Sequence, residues 1–208
     1  MKEKRLSQFQ VANCNFQMRA RKLIGLVGMK QVGKSTIGNH LQNQHGFKTL
    51  SFAAPLKRIC SETFHIPPEN FELTVTKELP DLELKVSPRH IMQAVGTGLF
   101  RNTLPQLLPD MKLGCDSIWI YSMKKELEKY STDHVVITDV RFSDECKFLK
   151  ENGGVLVYID RWDKEQQWLD QHESESAYLL KSQCDVIIDN TTSVEFCLEQ
   201  VDLFIDQI

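Results

Sequence analysis

The chain has 208 residues, 25 of them Lys or Arg and 28 Asp or Glu, for a formal charge of -3; 41% are apolar and 25% charged. That length and mix suit one domain with its own core and exclude overall disorder. The acidic balance excludes a surface built for nucleic acid, and no run approaches the ~18 apolar residues of a membrane span.

Residues 1–21 are polar and aperiodic and read as an N-terminal arm, with no apolar centre of the kind a secretory signal needs. Leu23-Ile24-Gly25-Leu26-Val27 is a short apolar run, the pattern of a parallel strand buried on both faces. Ser35 to His45 reads as a helix ended by Gly46, and Thr49 to Phe52 as a second strand. Pro55 fits the first turn of a helix that runs to about Phe64. Residues 65–88, punctuated by Pro67, Pro68, Pro80 and Pro88, read as irregular and long enough for a functional loop or small lobe.

Helical patterning returns at Arg89–Val95 and Ile118–Tyr130. Val135-Val136-Ile137-Thr138-Asp139 is a β-branched strand that ends in a carboxylate. Ser143 is placed to cap the next helix, with Asp144 and Glu145 in its first turn, and Gly153-Gly154 ends it. Val155–Ile159 and Val186–Ile188 are the fourth and fifth strands; residues 161–182 are polar, aromatic and helical in character, and 193–207 form a closing amphipathic helix. Strands that alternate with helices predict a parallel sheet with right-handed crossovers, an α/β fold.

The cysteines at 14, 60, 115, 146, 184 and 197 show no Cys-x-x-Cys spacing and read as reduced structural thiols of a cytoplasmic protein. The histidines show no ligand spacing along the chain, so no zinc is expected.

Gly28-Met29-Lys30-Gln31-Val32-Gly33-Lys34-Ser35 matches Gly-x-x-x-x-Gly-Lys-[Ser/Thr] at every fixed position, between a strand and a helix. Glycines let the backbone curl so that amides point at phosphate oxygens, and the helix start adds positive potential. The predicted ATP-binding set is Gly28, Lys30, Val32, Gly33, Lys34, Ser35 and Thr36, with Lys34 on the β- and γ-phosphates and Ser35 on Mg2+. Asp139 is the second expected Mg2+ ligand, with Asp160 the alternative; Arg141 reads as a cation for the transferred phosphate or as one half of a surface pair with Glu145. The catalytic set is Lys34, Asp139, Arg141 and Arg101.

Arg89, Gln93 and Thr97 follow a spacing of four and share a face for as long as the helix lasts. Gly96 and Gly98 are expected to end it, so that Arg101 follows a turn. Two arginines around an amide suit a phosphomonoester acceptor whose base meets Gln93. Trp119 reads as a base-stacking residue or a core tryptophan.

With these motifs the chain resembles the viral deoxynucleoside monophosphate kinases of the P-loop nucleoside monophosphate kinase group. The matching segments are Gly28–Ser35, Phe52–Lys57, Thr76–Glu78, Ser87–Thr97 with Arg101, Asp139–Phe142 with Glu145, His172–Glu175 and Asp189–Thr191. The resemblance implies a three-layer P-loop NTPase sandwich on a five-stranded parallel sheet, within one kinase domain over 22–208. It places an acceptor lobe at about 57–119 and a helical lid at about 161–181. It implies transfer of the γ-phosphoryl of ATP, with Mg2+, to a nucleoside monophosphate held by Lys57, Arg89, Gln93, Gly96, Thr97, Arg101 and Trp119. Asn190 joins the ATP side, and Arg161, His172 and Glu175 the lid, His172 being equally a surface histidine. The resemblance allows a homodimer, implies no nucleic-acid or membrane partner, and fits a host cytoplasm if the chain is viral. One departure is Gly96-Thr97-Gly98 where the family commonly has Gly-Thr-Glu. Alternatives are a phosphomevalonate-kinase-like enzyme, which shares the Ala-Pro-Leu-Lys segment, and a P-loop switch, against which stands the lack of an Asn-Lys-x-Asp segment.

Overall fold

The computed structural model describes residues 21–161 and 177–208. These form two compact units: one comprises the described residues up to Ser51 and from Lys129 onward, the other Phe52–Glu128.

The first unit is built on five parallel strands: β1 Leu23–Val27, β2 Lys48–Leu50, β3 Val135–Val140, β4 Val155–Asp160 and β5 Val186–Asp189. Their order is β2-β3-β1-β4-β5. The chain fills one side of β1 and then the other, so β1 stands at the topological switch point, where α/β sheets bind ligands beyond their strand ends. Every residue of β1 is buried, as the unbroken apolar run predicts. The register pairs Val27 with Val140 and Asp160 with Asp189, which brings the ends of β1, β3, β4 and β5 to one edge.

Helices α1 (Lys34–His45) and α8 (Val194–Ile205) cover one face. Ile37 and Leu41 of α1 and Val201, Phe204 and Ile205 of α8 close over Ile24, Leu26, Val157 and Ile188. Helix α7 (Ser143–Glu151) packs on β1 and β4 from the other face with a 3-10 turn over Ala177–Gln183. Leu149, Leu156 and Val140 crowd Gly25 there so closely that a methyl group would lie 2.5 Å from Leu149. The three layers are those expected of the fold.

The second unit contains α2 (Ala54–Phe64), α3 (Thr74–Glu78), α4 (Pro88–Gln93), α5 (Leu104–Leu107) and α6 (Ile118–Glu128). Two expectations fail here. Residues 65–88 are not wholly irregular, because a 3-10 turn at Pro68–Phe71, anchored by fully buried Phe71, precedes α3. The helix that begins at Pro88 also does not stop at Gly96: it widens into a π-helical stretch over Ala94–Thr103 and runs straight on into α5. Arg101 therefore sits on a helix and not after a turn. The glycines lower helix propensity by about 1 kcal/mol each. Against that, Trp119 donates its indole N–H to the Gly96 carbonyl at 3.0 Å and packs edge-on against Phe100.

Smaller differences have similar causes. Asp139 is one residue short of the end of β3, which continues to buried Val140. Ser143 is not the cap of α7: Phe142 holds that position, and buried Glu145 reaches back to accept from the backbone N–H groups of Arg141 (2.8 Å) and Phe142 (3.2 Å). The Ser143 hydroxyl instead meets Gln183, 3.2 Å away. The N-terminal arm up to residue 20 and most of the expected lid lie outside the described residues, His172, Glu175, Trp162 and Trp168 among them. No helix among the described residues is long and apolar enough to cross a membrane.

Candidate active site

The loop from β1 to α1 is shaped by its glycines. Gly28 has φ +151°, and a side chain there would lie 2.9 Å from the Ile159 carbonyl. Gly33 has φ +99°, and a side chain there would lie 2.7 Å from the Asn190 amide. Both positions need glycine for backbone angle and for space. Gln31, at φ 61°, is a left-handed non-glycine residue, a conformation held only where its surroundings impose it. Lys34 begins α1 and turns its ammonium inward, donating to the carbonyls of Gly28 (2.6 Å) and Met29 (2.5 Å). Ser35 and Thr36 follow in the first turn and are exposed; Lys30 is half-buried and Val32 buried.

A second strand end completes the loop. Asn190 donates its side-chain N–H to the Val32 carbonyl at 2.8 Å, across 158 positions of sequence. Its own backbone N–H donates to the Asp160 carbonyl at 2.7 Å. Buried Gln200 of α8 clamps the neighbouring peptide: its carbonyl accepts from Asp189 N–H at 3.1 Å, and its amide donates to the Asp189 carbonyl at 2.7 Å. The P-loop thus leans on the turn after β5, and that turn leans on α8.

Asp139 is half-buried beside the end of β2, where Ser51 donates its hydroxyl to Oδ2 at 2.7 Å. Asp160 accepts from Lys181 at 2.6 Å, so its charge is engaged by an ammonium. Arg141 lies two positions beyond Asp139, its backbone fixed by Glu145. Arg161 is exposed and points a guanidinium N–H at the Gln31 carbonyl, 3.4 Å away.

The other unit holds its own predicted residues. Arg89, 15% exposed, donates from Nε to Glu78 at 2.6 Å, and Lys57 donates to Glu72 at 2.7 Å. Each carboxylate orients a cation expected from the sequence, and neither carboxylate is itself among the expected site residues. Gln93 ends α4, while Gly96, Thr97 and Arg101 fall on the π-helical stretch that continues it. Gly96 and Thr97 are buried. Trp119 is 7% exposed, and its surroundings are those of a core residue that supports Gly96 from behind. Ser51 and Glu72 have no sequence signal, and Glu78 has only its place in the family segment Thr76–Glu78, since each acts on a partner that only the fold brings near.

The family model described as deoxynucleotide monophosphate kinase matches residues 69–201. The chain belongs to that family. It is therefore a nucleotide kinase, an ATP-dependent phosphotransferase. A protein of Acanthamoeba polyphaga mimivirus, named as a candidate deoxynucleotide monophosphate kinase, is 37% identical over 181 residues, covering 84% of this kinase and 91% of the viral protein. Among solved structures, TT1252 from Thermus thermophilus has a TM-score of 0.49 at 15% identity, covering 91% of this chain and 99% of that one. A dephospho-CoA kinase from Campylobacter jejuni has a TM-score of 0.45 at 17% identity, covering 88% and 96%. Likeness that low says nothing about the acceptor, and the fold of this kinase is read from its own strand order.

Proposed function

We propose that this kinase transfers the γ-phosphoryl group of ATP to a deoxynucleoside monophosphate. A phosphate oxygen of the acceptor attacks the γ-phosphorus, the bond from that phosphorus to the β–γ bridging oxygen breaks, and ADP departs as the acceptor becomes a diphosphate. The attacking oxygen is already an anion, so no strong general base is required. Catalysis is positioning plus neutralisation of spreading charge.

The observation that carries the reading is family membership over a span that contains Arg89, Gln93, Thr97, Arg101, Asp139 and Arg141. It favours a nucleotide acceptor over phosphomevalonate and a transfer reaction over a switch. The unit with the P-loop binds ATP through Gly28, Lys30, Val32, Gly33, Lys34, Ser35, Thr36 and Asn190. The Phe52–Glu128 unit supplies the acceptor residues Lys57, Arg89, Gln93, Gly96, Thr97 and Arg101. Asn190 keeps the loop curled by its bond to Val32. Lys34, Arg141, Arg101 and Arg161 supply positive charge.

The loop geometry and its left-handed glycines fit a polyphosphate. Ser35 and Asp139, a hydroxyl and a carboxylate, are the oxygen donors that Mg2+ accepts. When bound there, Mg2+ neutralises charge on the β- and γ-phosphate oxygens. Ser51 holds one Asp139 oxygen in place.

The test is Arg101→Ala, assayed by coupled detection of ADP. One lost charge-assisted contact is worth ~1.5–3 kcal/mol, which predicts a rise of about ten- to a hundredfold in KM for the monophosphate and a fall in kcat, with KM for ATP nearly unchanged. Loss of ATP affinity alone would place Arg101 on the wrong side of the reaction.

A further inference from the structure

Outside the residues that handle phosphate, three donor groups converge at the far end of the P-loop helix. His40 Nε2 lies 2.6 Å and His45 Nε2 2.7 Å from the same carboxylate oxygen, Asp202 Oδ1. The two imidazole rings stand edge to face at 5.7 Å. All three donor atoms lie within 4.8 Å of one another. The histidine side chains are 16% and 22% exposed, and the aspartate 46%. The convergence is held by covalent and packed structure: both histidines are on α1, and Asp202 is on α8, which packs against it.

We propose that His40, His45 and Asp202 form a binding site for one Zn2+ ion, which ties the end of α1 to α8. Two imidazole nitrogens and one carboxylate are a mixed nitrogen and oxygen set, which suits Zn2+ and disfavours Mg2+ and Ca2+, ions that prefer oxygen alone. Two neutral imidazoles and a carboxylate carry one negative charge, which a dication answers. Donors ~2.0–2.2 Å from a tetrahedral Zn2+ stand ~3.3 Å apart. The separations of 2.6 and 2.7 Å must therefore open by about 0.6–0.7 Å, which rotation of the half-exposed Asp202 side chain supplies. That exposure leaves the fourth position to water, so the ion exchanges with solvent. Each ring then carries its proton on Nδ1 and presents Nε2 to the metal.

Chain spacing conceals this site. His40 and His45 are five positions apart, off the one-turn spacing that marks a helical ligand pair, and Asp202 lies 157 positions beyond His45. The expectation of no zinc rests on linear spacing, which registers neither fact.

The full-length protein is titrated with Zn2+ in excess Mg2+, which saturates oxygen-only sites such as Ser35 with Asp139. The site predicts one Zn2+ per chain and a raised unfolding temperature. It also predicts that Co2+, used as a probe, gives the visible absorption of a nitrogen and oxygen tetrahedral site. His45→Gln weakens Zn2+ binding by more than about tenfold, the least that even an outer-shell change costs. Asp202→Asn keeps an oxygen acceptor for both rings, so it folds as the parent does while losing the ion. Three results would overturn the proposal: no Zn2+ bound, binding unchanged in both variants, or a Co2+ spectrum dominated by thiolate charge transfer, which would assign the metal to cysteine.

Discussion

Lys34 donates to the carbonyls of Gly28 and Met29, so its ammonium stands inside the loop it serves. Replacing it with methionine keeps most of the volume and removes the charge. Loss of one charge-stabilising donor costs about a hundred- to a thousandfold in turnover, and Lys34→Met is expected to show at least that fall in ADP formation at saturating acceptor. The motif that names Lys34 is contiguous and legible in the amino-acid sequence, because eight adjacent residues carry the whole device. Asn190 is the opposite case. Its family segment points to ATP, but its physical work, a 2.8 Å bond to Val32, depends on β5 ending beside β4. Asn190→Ala removes the donor, and the expected result is a raised KM for ATP with KM for the monophosphate unchanged, measured by varying each substrate at saturation of the other. Ser51 and Glu72 are invisible in the sequence for the same reason: a lone polar side chain has no pattern of its own until its partner is known.

At the scale of elements, strands are legible because burial on both faces leaves an apolar run in β1, in β4 and in the first half of β3. Helix ends are less so. Propensity places a stop at Gly96, yet the chain continues as a π-helix to Thr103, held by the Trp119 indole on the Gly96 carbonyl and by Thr103 donating to the Gly98 carbonyl at 2.8 Å. A tertiary hydrogen bond from a residue 23 positions away overrides the local preference, and no local pattern encodes it. Gly98 is exposed, and a methyl group built on it meets nothing within 4 Å. Gly98→Ala is therefore expected to stabilise the protein by ~0.5–1 kcal/mol through the unfolded chain's lost freedom, read as a shift in urea midpoint at constant slope. Trp119→Phe keeps the ring and forfeits the bond to Gly96. It is expected to destabilise by ~1–3 kcal/mol, the cost of a buried carbonyl left without its donor. If the urea midpoint does not move, the indole is not what sustains the helix past Gly96.

For the whole molecule, composition predicts reduced thiols, and the five described cysteines are free. Burial pushes the thiols of Cys146 and Cys184 up to about 12 and those of Cys60 and Cys197 up to about 11, from an ordinary 9.0. At neutral pH all four are protonated and poor nucleophiles. Because the folded values lie above the unfolded one, their contribution to stability is complete below about pH 9 and is lost as pH rises toward 11–12. Iodoacetamide at pH 8 is expected to modify these four only at the rate of unfolding, as followed by mass spectrometry; fast labelling of Cys146 would show that α7 opens locally. The net charge of -3 conceals local groups of cations, with Lys34 and Arg141 at the sheet edge of one unit and Arg89 and Arg101 on the long helix of the other.

Phosphoryl transfer itself is open to direct measurement. With ATP labelled in the γ-phosphate and a panel of deoxynucleoside monophosphates, label is expected to appear in a deoxynucleoside diphosphate. ADP is expected to form only when an acceptor is present. Label released as free phosphate at the same rate with and without acceptor would contradict it.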